Sequence, residues 1–181
     1  DDVRGWGGRE PQDPVEVLAS IMREKNYLGR RIGMEVPNYY MNPRVHKQLV
    51  ELLGSALVFD ASSLVHDLKL VKSPAELAYV REASRIADAA LDTIQATIKD
   101  GATECEVAGE AYRTLLSMGS DLPASPMNFV SGDRTCYGHG QPTQKPIRDG
   151  EFMHVEFGAA VKRYTATIAR HFNLGAPSKR A

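Results

Sequence analysis

The chain has 181 residues, 43% of them hydrophobic, and 22 Lys and Arg against 23 Asp and Glu give a formal net charge of −1. That balance describes a soluble globular protein of one or two domains and leaves no basic excess to draw nucleic acid. No apolar run approaches the roughly 18 residues that cross a bilayer, and no basic stretch followed by an apolar one precedes a cleavage site, so the expectation is a cytoplasmic protein without membrane contact.

The chain opens on a glycine-rich turn, Arg4 to Gly8, which lacks the spacing of a phosphate-cradling loop. Asp13 then caps a helix with Pro14 at its first position and Val15, Val17, Leu18, Ile21 and Met22 as its apolar residues. Arg31 to Val36 reads as a strand, Pro43 to Leu53 as a helix, Ala56 to Phe59 as a second strand and Ser62 to Leu68 as a short helix. Two short apolar strands joined through a helix predict a right-handed βαβ crossover in an α/β unit.

Ser73, Pro74 and Glu76 form a capping box that starts a long helix. Leu77, Val80, Ala87, Leu91, Ile94 and Ile98 are its apolar stripe, and Gly101 marks its end. Thr103 and Glu106 open a second helix in the same way, with Val107, Ala108, Ala111, Leu115 and Met118 inward and Gly119 at its stop. Both stripes are purely apolar, which makes the pair scaffold. From Pro123 the texture changes to Pro, Ser, Gly and Asn around β-prone runs such as Met127 to Val130, the pattern of strands and site-forming loops. The boundary between an upstream α/β piece and a downstream α+β piece is expected near Lys72, giving domains of residues 1–71 and 72–181.

Residues from Gly150 to Phe172 read as a β-hairpin in which Phe152, His154 and Glu156 share one face and Met153, Val155 and Phe157 the other. A carboxylate buried in such a strand needs a partner or a chemical task. For Glu156 the alternatives are a site or a salt bridge with Arg163 or Arg170. Upstream, His139 stands between Gly138 and Gly140, a setting that leaves an imidazole accessible for proton transfer but that also suits a plain surface histidine. His46, His66, His154 and His171 read as surface or packing residues. Cys105 and Cys136 match no disulfide framework and no zinc spacing. The chain begins at Asp1 and stops at Lys179, Arg180 and Ala181 just after a strand pair, so it reads as a piece of a longer chain.

Lys72 to Ala83 resembles the opening helix of the pita-bread proteins, the group of creatinase, aminopeptidase P, prolidase, methionine aminopeptidase and ectoine hydrolase. His139-Gly-Gln-Pro-Thr143, Asp149-Gly150, the run Val155 to Ala159 and the run Arg163 to Arg170 follow in that family's order. The resemblance covers nearly the whole chain. It implies a partial α+β pita-bread catalytic domain preceded by the end of an α/β creatinase-type amino-terminal domain. It also implies a homodimer and a piece that is inactive on its own.

The metallopeptidase members of the family hold two divalent metal ions through an Asp on each hairpin strand, eleven positions apart, and later residues. Here those positions are Glu156 and Thr167. Close dications need several anionic oxygens, and a threonine hydroxyl is a poor ligand. The departure resembles the metal-independent creatinase and ectoine hydrolase branch, as do the Lys162-Arg163-Tyr164 turn and Gly33 to Tyr40. That likeness implies hydrolysis of a C–N bond in a small cationic or zwitterionic substrate without a cofactor. His139 would be the general acid and base and Glu156 the anchor for the cation, with Tyr164 and Arg170 shaping the substrate site. The alternatives are an Xaa-Pro aminopeptidase or dipeptidase with two Mn, Co or Zn ions, and an inactive family member that serves as a binding module.

Overall fold

The computed structural model describes residues 3, 4, 7, 12–36, 40–122 and 126–176. Gly5, Trp6 and Gly8 of the amino-terminal turn, residues 37–39 of the Gly33 to Tyr40 match, Pro123 and the end Lys179 to Ala181 lie outside the described residues. The chain forms two compact units, Asp1–Val71 and Lys72–Ala181.

In the first unit, helix α1 (Pro14–Glu24) starts where the Asp13 side chain accepts a hydrogen bond from Val15 N at 2.8 Å, and helix α2 (Pro43–Leu53) starts in the same way from Asn42. Strand β1 (Ile32–Met34) pairs in parallel with strand β2 (Leu57–Asp60), with α2 between them in the chain, and helix α3 (Leu64–Leu70) follows. Val15, Ala19, Met22, Leu49, Leu53 and Ala56 are its buried apolar residues.

In the second unit, helix α4 (Pro74–Thr97) and helix α5 (Glu104–Ser117) both carry the reciprocal capping box read from the sequence, at Ser73/Glu76 and Thr103/Glu106. Helix α4 ends at Thr97, ahead of Gly101, because Ile98 already turns extended at φ −58° and ψ 121°. Gly101, at φ 84°, turns the chain so that its N–H reaches Ile147 O at 2.9 Å. Strand β3 (Asn128–Ser131), strand β4 (Phe152–Val161) and strand β5 (Tyr164–Asn173) form an antiparallel sheet in the order β3-β4-β5.

Strand alternation gives β4 two unlike faces. Met153, Val155, Phe157 and Ala159 are buried in one core with Ile86, Ala90 and Ile94 of α4 and Val107, Ala111 and Leu115 of α5. The other face carries Phe152, His154, Glu156, Gly158 and Ala160. Opposite it on β5 stand Thr165, Thr167, Ala169 and His171, all exposed. One face is therefore the floor of the core and the other is open along β5. Everything the sequence singles out as chemical must be judged by which of the two it joins.

Candidate functional site on the open face of the sheet

Glu156 stands at the centre of β4, directly across from Asn128 on β3 and Ala169 on β5. Its side chain is 31% exposed, so it is not the enclosed carboxylate that the apolar sequence around it predicts. The reason is the pleat: its apolar neighbours Val155 and Phe157 point through the sheet to the helices, while Glu156 points to the open face.

His139 meets it there. Nε2 of His139 lies 3.7 Å from Oε2 of Glu156, and the imidazole is 82% exposed. Among the described residues this is the approach of a basic side chain to the Glu156 carboxylate. The two salt bridges considered from sequence are not formed. Arg163 sits in the hairpin turn, where its N–H donates to Asp121 Oδ2 at 3.1 Å, and Arg170 lies on the other face of the sheet. Gly140, beside His139, is required by close approach, because a Cβ there would run into Cγ1 of Val130. Its carbonyl accepts from Phe129 N at 3.0 Å, which ties the histidine loop to β3. Gln141 Nε2 donates to Asn128 Oδ1 at 3.4 Å and adds a second tie beside Glu156.

Thr167 shares the face of Glu156, but the two do not pair. Glu156 is opposite Ala169 and Thr167 is opposite Gly158, which makes them diagonal neighbours. A Cβ at position 158 would lie 2.7 Å from Ala166 O and 3.2 Å from Thr167 Oγ1, so glycine keeps this corner open. Farther along the face, His154 and His171 stand directly across from each other with ring centroids 5.2 Å apart, and Phe152 lies 5.0 Å from His171.

Tyr164 and Arg170 do not join this group. The register pairs Tyr164 with Val161 and Arg170 with Val155, which puts both on the helix-facing side, opposite Glu156. Tyr164 donates its hydroxyl to Glu76 Oε1 at 2.9 Å and stacks on Tyr79 at 5.6 Å, so it fastens the hairpin to the start of α4. Arg170 Nη1 donates to Ala169 O at 2.8 Å and borders a hollow with Ser84 and Asp88 of α4. Strand parity thus sets both apart from Glu156 and His139.

The donor chemistry tests the metal alternative. Among the described residues no group of three or more His, Cys, Asp or Glu is arranged to hold a metal ion. At the two hairpin positions the donors are one carboxylate and one neutral hydroxyl. That pair does not fit a two-metal centre, which needs bridging anionic oxygens to offset the repulsion between the ions.

Among the described residues the fully buried acid is Glu104, which no pattern in the sequence singles out. Glu104, the first residue of α5, has a relative exposure of 0%, and its carboxylate accepts from Ser131, Thr143 and Arg134. In the sequence it sits inside a capping box that Thr103 and Glu106 already complete, so nothing local marks it. Its partners lie 27 to 39 positions downstream.

Known proteins share much of this sequence and fold. Residues 78–181 match the model of metallopeptidase family M24. The ectoine hydrolase of Halomonas elongata is 29% identical over 174 residues, covering 91% of this chain and 44% of the relative. The Xaa-Pro dipeptidase of Pyrococcus horikoshii is 28% identical over 117 residues, covering 65% of this chain and 33% of the relative. The solved structure of an Xaa-Pro dipeptidase from Bacillus anthracis superposes with a TM-score of 0.79 at 26% identity, covering 94% of this chain and 47% of that one. The chain therefore spans less than half the length of these relatives. With its α4, α5 and β3-β4-β5 arrangement matching the α+β pita-bread catalytic domain, the chain belongs to metallopeptidase family M24.

Proposed function

We propose that the protein of which this chain forms part hydrolyses a C–N bond in a small cationic or zwitterionic substrate, without a metal ion. The observation that carries the proposal is the 3.7 Å approach of His139 Nε2 to Glu156 Oε2 on the open face, with the neutral Thr167 where a second carboxylate would be needed for metal. Likeness to an ectoine hydrolase over 91% of the chain supports the same class.

The chemistry follows from the two groups. Glu156 holds the substrate's cationic nitrogen by a charge-assisted contact and so fixes the reacting carbon beside the imidazole. His139 takes a proton from a water molecule whose oxygen forms a bond to that carbon. It then delivers the proton to the nitrogen as the C–N bond breaks, which returns the imidazole to its starting state. The exposed position of His139 leaves it reachable by both water and substrate. The remaining pocket walls come from the rest of the chain and from the second subunit of a cytoplasmic homodimer.

A second reading is a metal-dependent Xaa-Pro peptidase, favoured by the TM-score of 0.79 to an Xaa-Pro dipeptidase. The full-length protein assayed against ectoine, creatine and an Xaa-Pro dipeptide separates the two. Turnover of a cationic small molecule that falls by about 10²- to 10⁴-fold in His139→Ala supports the proposal. Cleavage of the dipeptide alone supports the second reading, and no turnover of any substrate supports a binding module.

A further inference from the structure

The loop that carries His139 has its two stems at Ser131 and Thr143, and one buried carboxylate holds both. Oε1 of Glu104 accepts from Ser131 N and from Ser131 Oγ, each at 2.8 Å. Oε2 accepts from Thr143 N at 2.9 Å and Thr143 Oγ1 at 2.8 Å. The same Oε2 takes the Arg134 guanidinium, which comes from inside the loop. Arg134 also donates to Thr143 Oγ1 at 3.1 Å and to Gln141 O at 2.9 Å, so it spans the loop two residues beyond His139.

A buried charge left unpaired is costly, whereas one that satisfies backbone N–H groups and a guanidinium holds its partners in one geometry. Helix α5 alone does not need this carboxylate, because its N-terminus is already capped by Thr103 and Glu106. On the far side of Ser131, Lys145 Nζ bonds Ser131 Oγ at 3.0 Å and pairs with Glu151 at 2.7 Å, which fastens the same stem to the start of β4. The clamp thus joins three parts: the helix end, the two loop stems and the strand that bears Glu156.

We infer that Glu104 is the positioning residue of the site, a clamp on both stems of the 131–143 loop that sets His139 against Glu156. This rests on the reading of His139 as the proton carrier, and its test has one arm that does not. Glu104→Gln keeps the side-chain shape but turns an N–H₂ toward donors that need an acceptor.

Hydrogen exchange of this chain is expected to show amides of residues 131–143 exchanging at least about tenfold faster in Glu104→Gln, with residues 107–115 of α5 unchanged. Glu106→Ala is the control: it removes the capping box of the same helix, lowers the melting temperature and leaves the loop amides protected. Should Glu104→Gln fail to fold, Arg134→Met carries the same test, since it removes the guanidinium and keeps the carboxylate's contacts to Ser131 and Thr143. In the full-length enzyme Glu104→Gln is expected to lower kcat at least about tenfold with KM within about twofold, and Glu106→Ala to leave both unchanged. Loop amides as protected in both variants as in the parent chain would overturn the clamp. Faster loop exchange with kcat retained would overturn its role in positioning His139. Faster loop exchange in a full-length protein that turns over no substrate would retain the clamp and reject the hydrolase reading.

Discussion

Glu156 and Thr167 lie on one face of the β4-β5 hairpin as diagonal neighbours, with Gly158 filling the position across from Thr167. The carboxylate has a place and the second ligand position has only a hydroxyl, so the anionic charge of the pair is halved relative to two acids. Replacing Thr167 by Asp restores it. In the full-length protein Thr167→Asp is expected to raise the affinity for Mn²⁺ by at least about tenfold, read by titration calorimetry. An unchanged affinity would mean that this corner of the sheet is not the relic of a metal site.

The Tyr164 hydroxyl, the Ser73 backbone N–H and the Ser73 side chain all bear on Glu76. The Ser73 backbone hydrogen bond first, then the Ser73 side chain and Tyr164, hold the Glu76 carboxyl below the usual carboxylate range. Glu106 is lowered in the same way, by Thr103 backbone N–H first. Because the folded state holds these protons less tightly than the unfolded chain, their stabilisation is present above the ordinary carboxylate pKa and is lost as the pH falls through the lowered values. Tyr164 moves the other way: its hydrogen bond to Glu76 raises it, so that contribution holds below the usual tyrosine range and fades as the pH rises through the raised value. Tyr164→Phe is expected to lower Tm by on the order of a few degrees at neutral pH, with the difference from the parent shrinking below about pH 4. Thermal melts across that range check it. A Tyr164→Phe variant with unchanged Tm and a raised KM would return Tyr164 to the substrate site.

The hairpin turn holds Lys162 at φ 51° and Arg163 at φ 69°, both in the left-handed region. A type I′ two-residue hairpin loop takes positive φ at both positions, and asparagine followed by glycine supplies it at the least cost. Lys162→Asn with Arg163→Gly is expected to stabilise the chain by about 1 kcal/mol, measured by denaturant unfolding. The Arg163 N–H to Asp121 survives this change, since it is a backbone bond.

Much of this architecture can be read from the residues, because the signals are local. The capping boxes at Ser73 and Thr103 start α4 and α5 where expected, and the alternation from Phe152 to Phe157 separates the core face from the open one. Register is not local in the same way. The turn at Lys162 and Arg163 fixes which β5 residue meets each β4 residue, and that pairing decides that Tyr164 and Arg170 face the helices while Thr167 shares the face of Glu156. His139 and Glu156 were legible as chemical residues, but their meeting depends on a loop folded back along β3. Glu104 was not legible at all, because its burial exists only once Ser131, Arg134 and Thr143 have closed around it.

His139 and Glu156 are thus proposed as a hydrolytic pair that works without metal. Its most direct test is to strip the full-length protein with a chelator, confirm the metal content by elemental analysis, and measure hydrolysis of ectoine and creatine beside cleavage of an Xaa-Pro dipeptide. C–N hydrolysis of a cationic small molecule is expected to proceed at the same rate before and after stripping. Activity that disappears on stripping and returns with Mn, Co or Zn would contradict it.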